Sequence, residues 1–452
     1  MTRAPFTWFE IFRLGLVQAA LGAVVVLTTS TLNRIMVVEL ALPATLPGML
    51  VAFHYVLQLL RPRLGHGSDV GGRKTPWIVG GMAFLALGGI AAAVATAWMS
   101  AHLWAGIALA TVAFFMIGVG VAACGTTLLV LLADRADPKR RTAAATIVWV
   151  MMIVGFIVTT AIAGYLLDPY SPKRLIIVAA SVSTLAMILT IVALWNIEGA
   201  VPEIRSSAPA GRPAGETPFA TAIAAVWAEP QARRFTIFVF VSMLAYSAPE
   251  LLLEPFAGTI FGFTPGESTQ LASLQHGGVL VGMMMVGTIG CVSGNRHLAL
   301  MRFWTMSGCV ASAIALLILT VIGVMGTPGS LRTAVFLLGL ANGVYAVAAI
   351  GSMMLLVGSE QKSRHGVRMG LWGAAQAIAF GFGGFAGTMI FDVVRMLAGS
   401  LPLAYSTVFG GGAALFLLSA ILTIRIYADR QLPATTRPIV GSELAVSEPG
   451  RS

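Results

Sequence analysis

The 452-residue chain is 57% hydrophobic and only 10% charged, with a mean hydropathy of +0.88. So little charge cannot cover a soluble surface of this size, which excludes a soluble globular protein and points to serial membrane helices. A net charge of +10 raises nucleic acid as a partner, but the placement of the basic residues assigns that charge to membrane topology instead.

Taken in chain order, apolar runs near the bilayer-crossing length predict twelve spans, at 11–38, 44–61, 76–98, 104–133, 142–168, 173–196, 235–260, 270–293, 302–325, 331–358, 368–393 and 402–427. The first run is too long for a signal-peptide core and reads as a span. Between the sixth and seventh spans lies a polar stretch with Pro202, Pro209, Pro213, Pro218 and Pro230, the composition of a linker. The expected organisation is an N-terminal six-helix bundle at 1–197, a cytoplasmic linker at 198–234, a C-terminal six-helix bundle at 235–430 and a disordered cytoplasmic tail at 431–452. Cys124, Cys291 and Cys309 sit in or beside apolar runs and carry neither metal nor disulfide spacing.

Orientation follows from Lys and Arg. With the N-terminus in the cytoplasm, 23 of the 28 fall on the cytoplasmic side. Lys173, Arg174, Arg332 and Arg395 fall on the other side, and Arg34 lies inside the first span. This bias predicts both termini inside. An internal repeat supports the two halves: Val121-Ala122-Ala123-Cys124-Gly125-Thr126 recurs as Val347-Ala348-Ala349-Ile350-Gly351-Ser352, 226 residues later, in spans four and ten. Parallel six-plus-six repeats define the major facilitator architecture, so the expected fold is an all-α membrane protein with two pseudo-symmetric six-helix bundles.

The loop after span two resembles the signature loop of the major facilitator superfamily, G-x-L-a-D-r-x-G-r-k. Gly65, Asp69, Gly72, Arg73 and Lys74 match; Gly67 and Val70 depart from it. Glycines permit a tight interhelical turn, and an acid at a helix end can pair with basic groups to latch one state. The loop after span eight has glycine in place of the acid, so no second latch is expected.

Polar side chains inside spans are costly and mark candidate sites. His54 and Gln58 lie one turn apart in span two. Glu250 follows Pro249 and Glu254 precedes Pro255 in span seven, where proline suggests a kinked or broken helix. His276, Asn342 and Gln376 fall in spans eight, ten and eleven. Each also has a structural reading, an interhelical hydrogen bond or an ion pair. For Arg34 and Glu39 the default is an ion pair near the end of span one.

The segment Thr31-Leu32-Asn33-Arg34-Ile35-Met36-Val37-Val38-Glu39-Leu40 resembles the first-span hallmark of the PucC, or bacteriochlorophyll delivery, family. Arg61-Pro62-Arg63, Gly72-Arg73-Lys74-Thr75-Pro76-Trp77, Ala341-Asn342-Gly343-Val344 and Gly370-Leu371-Trp372-Gly373-Ala374-Ala375-Gln376 extend the resemblance over both halves. It is nearest the branch labelled bacteriochlorophyll synthase chain. The resemblance implies a non-enzymatic role in a bacterial inner (intracytoplasmic) membrane. There the protein would bind bacteriochlorophyll and support light-harvesting assembly, with antenna polypeptides or pigment-synthesis enzymes as partners. The hallmark residues Asn33, Arg34 and Glu39 gain standing from it, and His54 and His276 become candidate axial ligands of pigment Mg²⁺.

Two alternatives stand beside this reading. A proton-coupled transporter of a small solute would use Glu250 and Glu254 as proton sites. An enzyme of pigment synthesis would need paired acidic clusters, whereas Asp134 and Asp137 form one, beside Lys139, Arg140 and Arg141.

Overall fold

Uninterrupted apolar runs must satisfy their own backbone hydrogen bonds in lipid, and the computed structural model resolves them as helices. It describes residues 5–61, 73–137, 140–198, 227–292, 297–357 and 365–428. These residues form twelve principal helices and no strand. They are α1 (Trp8–Glu39), α2 (Thr45–Leu57), α3 (Thr75–Met99), α4 (Leu103–Arg135), α5 (Arg141–Leu167), α6 (Pro172–Leu194), α7 (Pro230–Phe261), α8 (Pro265–Val292), α9 (His297–Met325), α10 (Leu331–Val357), α11 (His365–Ala398) and α12 (Leu401–Ala428). Eleven contain a stretch long and apolar enough to cross a membrane; the apolar stretch Thr45–Leu60, α2 with a closing 3₁₀ turn, is shorter.

Local chemistry sets the helix ends. Thr7 and Glu10 form a reciprocal capping box at the start of α1, with Thr7 N–H donating to Glu10 Oε2 at 2.7 Å. Ser171 caps α6 by accepting from the Arg174 N–H at 3.1 Å. Proline at the first helical position starts α7 at Pro230, earlier than the apolar run alone suggests, so Arg233 and Arg234 are helical. Gly262 adopts φ +70° and turns α7 sharply into α8.

The packing repeats itself. Within the first six helices α1 meets α5 and α6, α3 meets α4 and α6, and α2 meets α4. Within the last six, α7 meets α11 and α12, α9 meets α10 and α12, and α8 meets α10. Every pairing recurs six helices later, and the two groups join through α2 against α11 and α5 against α8. The repeated hexapeptides fall on α4 and α10, equivalent helices in this scheme. Close approach depends on glycine: a Cβ on Gly155 would lie 2.5 Å from the Ala19 carbonyl oxygen, and one on Gly343 2.1 Å from that of Val279.

With an even number of helices, the starts of α1 and α7 and the end of α12 share one end of the bundle, the terminal end. The other is the distal end. Two large apolar cores lie mainly one in each group of six, and a smaller cluster of Ile153, Val279 and Met283 joins α5 to α8 between them.

Candidate functional site

Between the groups, aromatic rings from five helices converge. Tyr55 (α2) lies 5.2 Å from Phe380 (α11), which lies 5.6 Å from Tyr246 (α7); Phe156 (α5) meets His276 (α8) edge-on at 4.9 Å. The two tyrosines and two phenylalanines are half-buried. Glu250 on α7, whose charge reaches both tyrosines, keeps 27% of its side chain accessible. The space beside this part-exposed carboxylate, between the two groups, is the central chamber.

The polar groups of the chamber are tied together. Gln275 Nε2 donates to Glu250 Oε2 at 2.5 Å, and His276 Nε2 lies 3.9 Å from Glu250 Oε1. His276 Nδ1 sits 2.7 Å from the Ala272 carbonyl oxygen. A carbonyl can only accept, so Nδ1 carries a proton, and Nε2 is the ring nitrogen turned toward Glu250. Anchoring one ring nitrogen on a carbonyl is also the arrangement that orients a metal-ligating histidine. Sequence reading places His276 at the opening of a span; α8 begins at Pro265, which puts it three turns into the helix.

His54 has different surroundings. It is 1% exposed, and its Nε2 lies 2.9 Å from Gln58 Nε2. Arg61 can only donate and does so to Gln58 Oε1, so the Gln58 amide N–H₂ faces the imidazole and occupies its Nε2 lone pair. Nδ1 is buried and has no hydrogen-bond partner. Asn342 is likewise internal to one group of helices, its Oδ1 accepting from Ser312 on α9 at 2.8 Å. Gln376 is half-buried on α11.

Glu254, one turn beyond Glu250, belongs to a second layer. It is 2% exposed and accepts from Ser30 on α1 at 2.5 Å. Around it, hydrogen bonds join the two groups at the distal end. Thr31 pairs with Thr269 at 3.2 Å, and Asn33 donates to the Leu251 carbonyl. Arg34 donates to the Phe263 carbonyl at 2.6 Å and pairs with Glu39. Asp392 accepts from the Ala44 and Thr45 N–H groups and the Thr45 hydroxyl, and Asp168 accepts from Thr264 and Gly266. The distal end is therefore closed.

The hallmark residues reach this seam because α1 is locally widened. Leu27–Thr31 and Ile35–Glu39 are π-type turns flanking Leu32–Arg34. Such turns re-aim side chains and gather at functional positions. Hydropathy periodicity carried no signal for them, nor for Tyr55, Phe156, Tyr246 and Phe380, which read as ordinary span residues. The signature-loop residues Gly65, Asp69 and Gly72 lie outside the described residues. Of its basic end, Lys74 pairs with Asp134, and its backbone N–H and that of Thr75 donate to Glu198, each at 3.0 Å.

Comparison with known proteins agrees with this architecture. The chain is 12% identical to a D-xylose-proton symporter, covering 93% of this chain and 97% of that one at a TM-score of 0.72. It is 15% identical to a peptide transporter POT, covering 94% and 96% at a TM-score of 0.66. The shared fold is that of the major facilitator transporters. Among curated proteins, the chain is 48% identical over 430 residues to the "Bacteriochlorophyll synthase 44.5 kDa chain" of Rhodobacter capsulatus, covering 94% of this chain and 96% of that one. It is 27% identical over 399 residues to "Protein PucC" of Rhodovulum sulfidophilum, covering 86% of each. The PUCC protein family model matches residues 31–431, and on that match, together with the 48% relative, this multi-pass membrane protein belongs to the PucC family.

Proposed function

We propose that this protein holds bacteriochlorophyll in the chamber between its two helix groups and passes it on during assembly of photosynthetic complexes. The observation that carries the reading is His276. Its Nδ1 is fixed on the Ala272 carbonyl and its Nε2 is turned toward Glu250 and the chamber. Bound pigment would supply a Mg²⁺ centre that takes an axial nitrogen ligand, and a neutral imidazole suits it. Tyr55, Phe156, Tyr246 and Phe380 would offer ring faces and edges to a flat macrocycle. His54 suits this role less, because its Nε2 already takes the Gln58 amide. The synthase wording belongs to the 48% relative; here the reading is a carrier and assembly factor, with light-harvesting polypeptides or pigment-synthesis enzymes as partners. The basic terminal end belongs in the cytoplasm of a bacterial inner membrane.

The test is purification of the wild type, His276→Ala and His54→Ala from pigment-producing membranes. Loss of co-purifying pigment, or a shifted absorption band, in His276→Ala alone is expected. Unchanged stoichiometry and spectrum in that variant would sink the assignment.

One observation favours a second reading. Two titratable side chains, Glu250 and His276, stand 3.9 Å apart in a fold shared with a D-xylose-proton symporter. Proton-driven flux of a polar solute by the reconstituted protein, with antenna complexes intact in a deletion strain, would favour it.

A further inference from the structure

At the distal end, α5 and α6, with Gln270 of α8, line an open groove of about 760 Å³, within the ~300–1,000 Å³ range of ligand sites. It opens on the outer flank of the bundle, away from the central chamber. Its mouth carries Lys173 and Arg174, two of the four basic residues placed at that end. Arg174 is held in place, donating to the carbonyls of Asp168 and Pro169 at the turn between α5 and α6. The one acid in the lining, Asp168, has both oxygens occupied by α8: Oδ1 accepts from the Gly266 N–H at 3.2 Å and Oδ2 from the Thr264 hydroxyl at 2.8 Å. The nearby Glu267 caps α8 by accepting from the Thr264 N–H and does not line the cavity. The polar mouth is thus cationic. The wall changes character along the helix axes: Tyr165 is 77% exposed and Ile177 55% exposed, both on the outer surface of the bundle. Gln270 of α8 contributes from the other group.

We propose that this cavity binds a phospholipid with an anionic head, the phosphate at Lys173 and Arg174 and the upper acyl chains along Tyr165 and Ile177. Three features select this occupant over a soluble anion. The cations stand in the first turn of α6, at the level of the lipid heads. An apolar, bilayer-facing wall continues directly from them. The groove is far larger than a bare phosphate needs. The site draws on both helix groups, so an occupying lipid bridges them where α5 packs on α8.

The experiment is native mass spectrometry of the full chain released from nanodiscs containing equal phosphatidylglycerol and phosphatidylcholine. Three proteins are compared: wild type, Lys173→Glu, and Arg332→Glu as a charge reversal at the same end on α10. Preferential retention of phosphatidylglycerol, falling about five-fold in Lys173→Glu and unchanged in Arg332→Glu, is expected. Equal retention of the two lipids by wild type, or an equal fall in both variants, would overturn the site. Thermal shift with inorganic phosphate alone forms the last arm. Stabilisation of wild type matching that from phosphatidylglycerol, and absent in Lys173→Glu, would assign the cavity to a free anion and overturn the lipid. Because Lys173 is exposed, its reversal leaves the fold intact, which unchanged melting without added ligand verifies.

Discussion

Asn33 of α1 donates its side-chain N–H to the carbonyl of Leu251 on α7, the carbonyl that Pro255 leaves without a helical partner. Proline at position i has no N–H for the carbonyl at i−4, and Pro255 minus four is Leu251. A hallmark side chain from one half thus completes a helix in the other. Removing Asn33 leaves a buried carbonyl unsatisfied, at a cost of about 1–3 kcal/mol. Asn33→Ala is expected to lower the melting temperature in detergent. Pro255→Ala restores the N–H and makes Asn33 dispensable, so the double variant should lose much less than the sum of the singles. Additive losses in a double-mutant cycle would remove the coupling.

The Arg34–Glu39 pair has one fully buried member and one partly open. Arg34 is 1% exposed and Glu39 32%, and Arg34 Nε has no partner. Glu39→Gln should cost more than the ~1 kcal/mol of an exposed pair and less than the ~3–5 kcal/mol of a fully buried one. Because the same guanidinium holds the Phe263 carbonyl, distal closure should loosen as well. Faster thiol labelling of a cysteine introduced at Thr269, measured with and without the Glu39 change, reads this directly.

Glu198 stands outside the spans, at the end of α6, and caps the start of α3. Burial pushes its carboxyl up; the Lys74 and Thr75 N–H groups, the Thr75 hydroxyl and Arg73 outweigh this and hold it below the usual range. A depressed carboxyl contributes stability above its unfolded value and loses that contribution as pH falls through the folded one. Thermal stability should therefore decline below about pH 4.5, more steeply in wild type than in Glu198→Gln, which is already weakened at neutral pH. Parallel melting-temperature curves for the two proteins between neutral and acid pH would contradict it.

Glycine positions separate sharply by what surrounds them. A Cβ on Gly343 would meet the Val279 carbonyl at 2.1 Å, while one on Gly373 meets nothing within 4 Å. Gly343→Ala should cost about 1–3 kcal/mol through forced separation of α8 and α10. Gly373→Ala should be neutral or slightly stabilising. Melting temperatures of the two purified variants decide the matter.

Span count and the two-half plan were legible because hydropathy and repetition are properties of the chain itself. The hexapeptide repeat landed on equivalent helices α4 and α10 for that reason. The chamber was half legible. Glu250 and His276 stood out as polar residues in apolar runs, yet that they meet depends on interhelical geometry. His54 and His276 look alike in sequence; only the neighbours, Gln58 for one and Ala272 with Glu250 for the other, tell them apart. Pro249 and Pro255 suggested a kinked or broken helix; α7 runs unbroken from Pro230 to Phe261, with Asn33 of α1 supplying the donor that Pro255 removes.

The widened turns of α1 have a bearing on which changes the protein tolerates. Each π-type turn accommodates one residue more than a regular turn would. Losing a single residue within Leu27–Thr31 or Ile35–Glu39 would convert that widened turn to a regular one and leave the helix on either side in phase. Losing Leu32, between the two, would instead swing everything on one side of the deletion by ~100°. Asn33 and Arg34 would then point away from Leu251 and Phe263. The phase of this segment, more than its composition, is what heredity has to keep, and losing Leu32 should be worse than most substitutions.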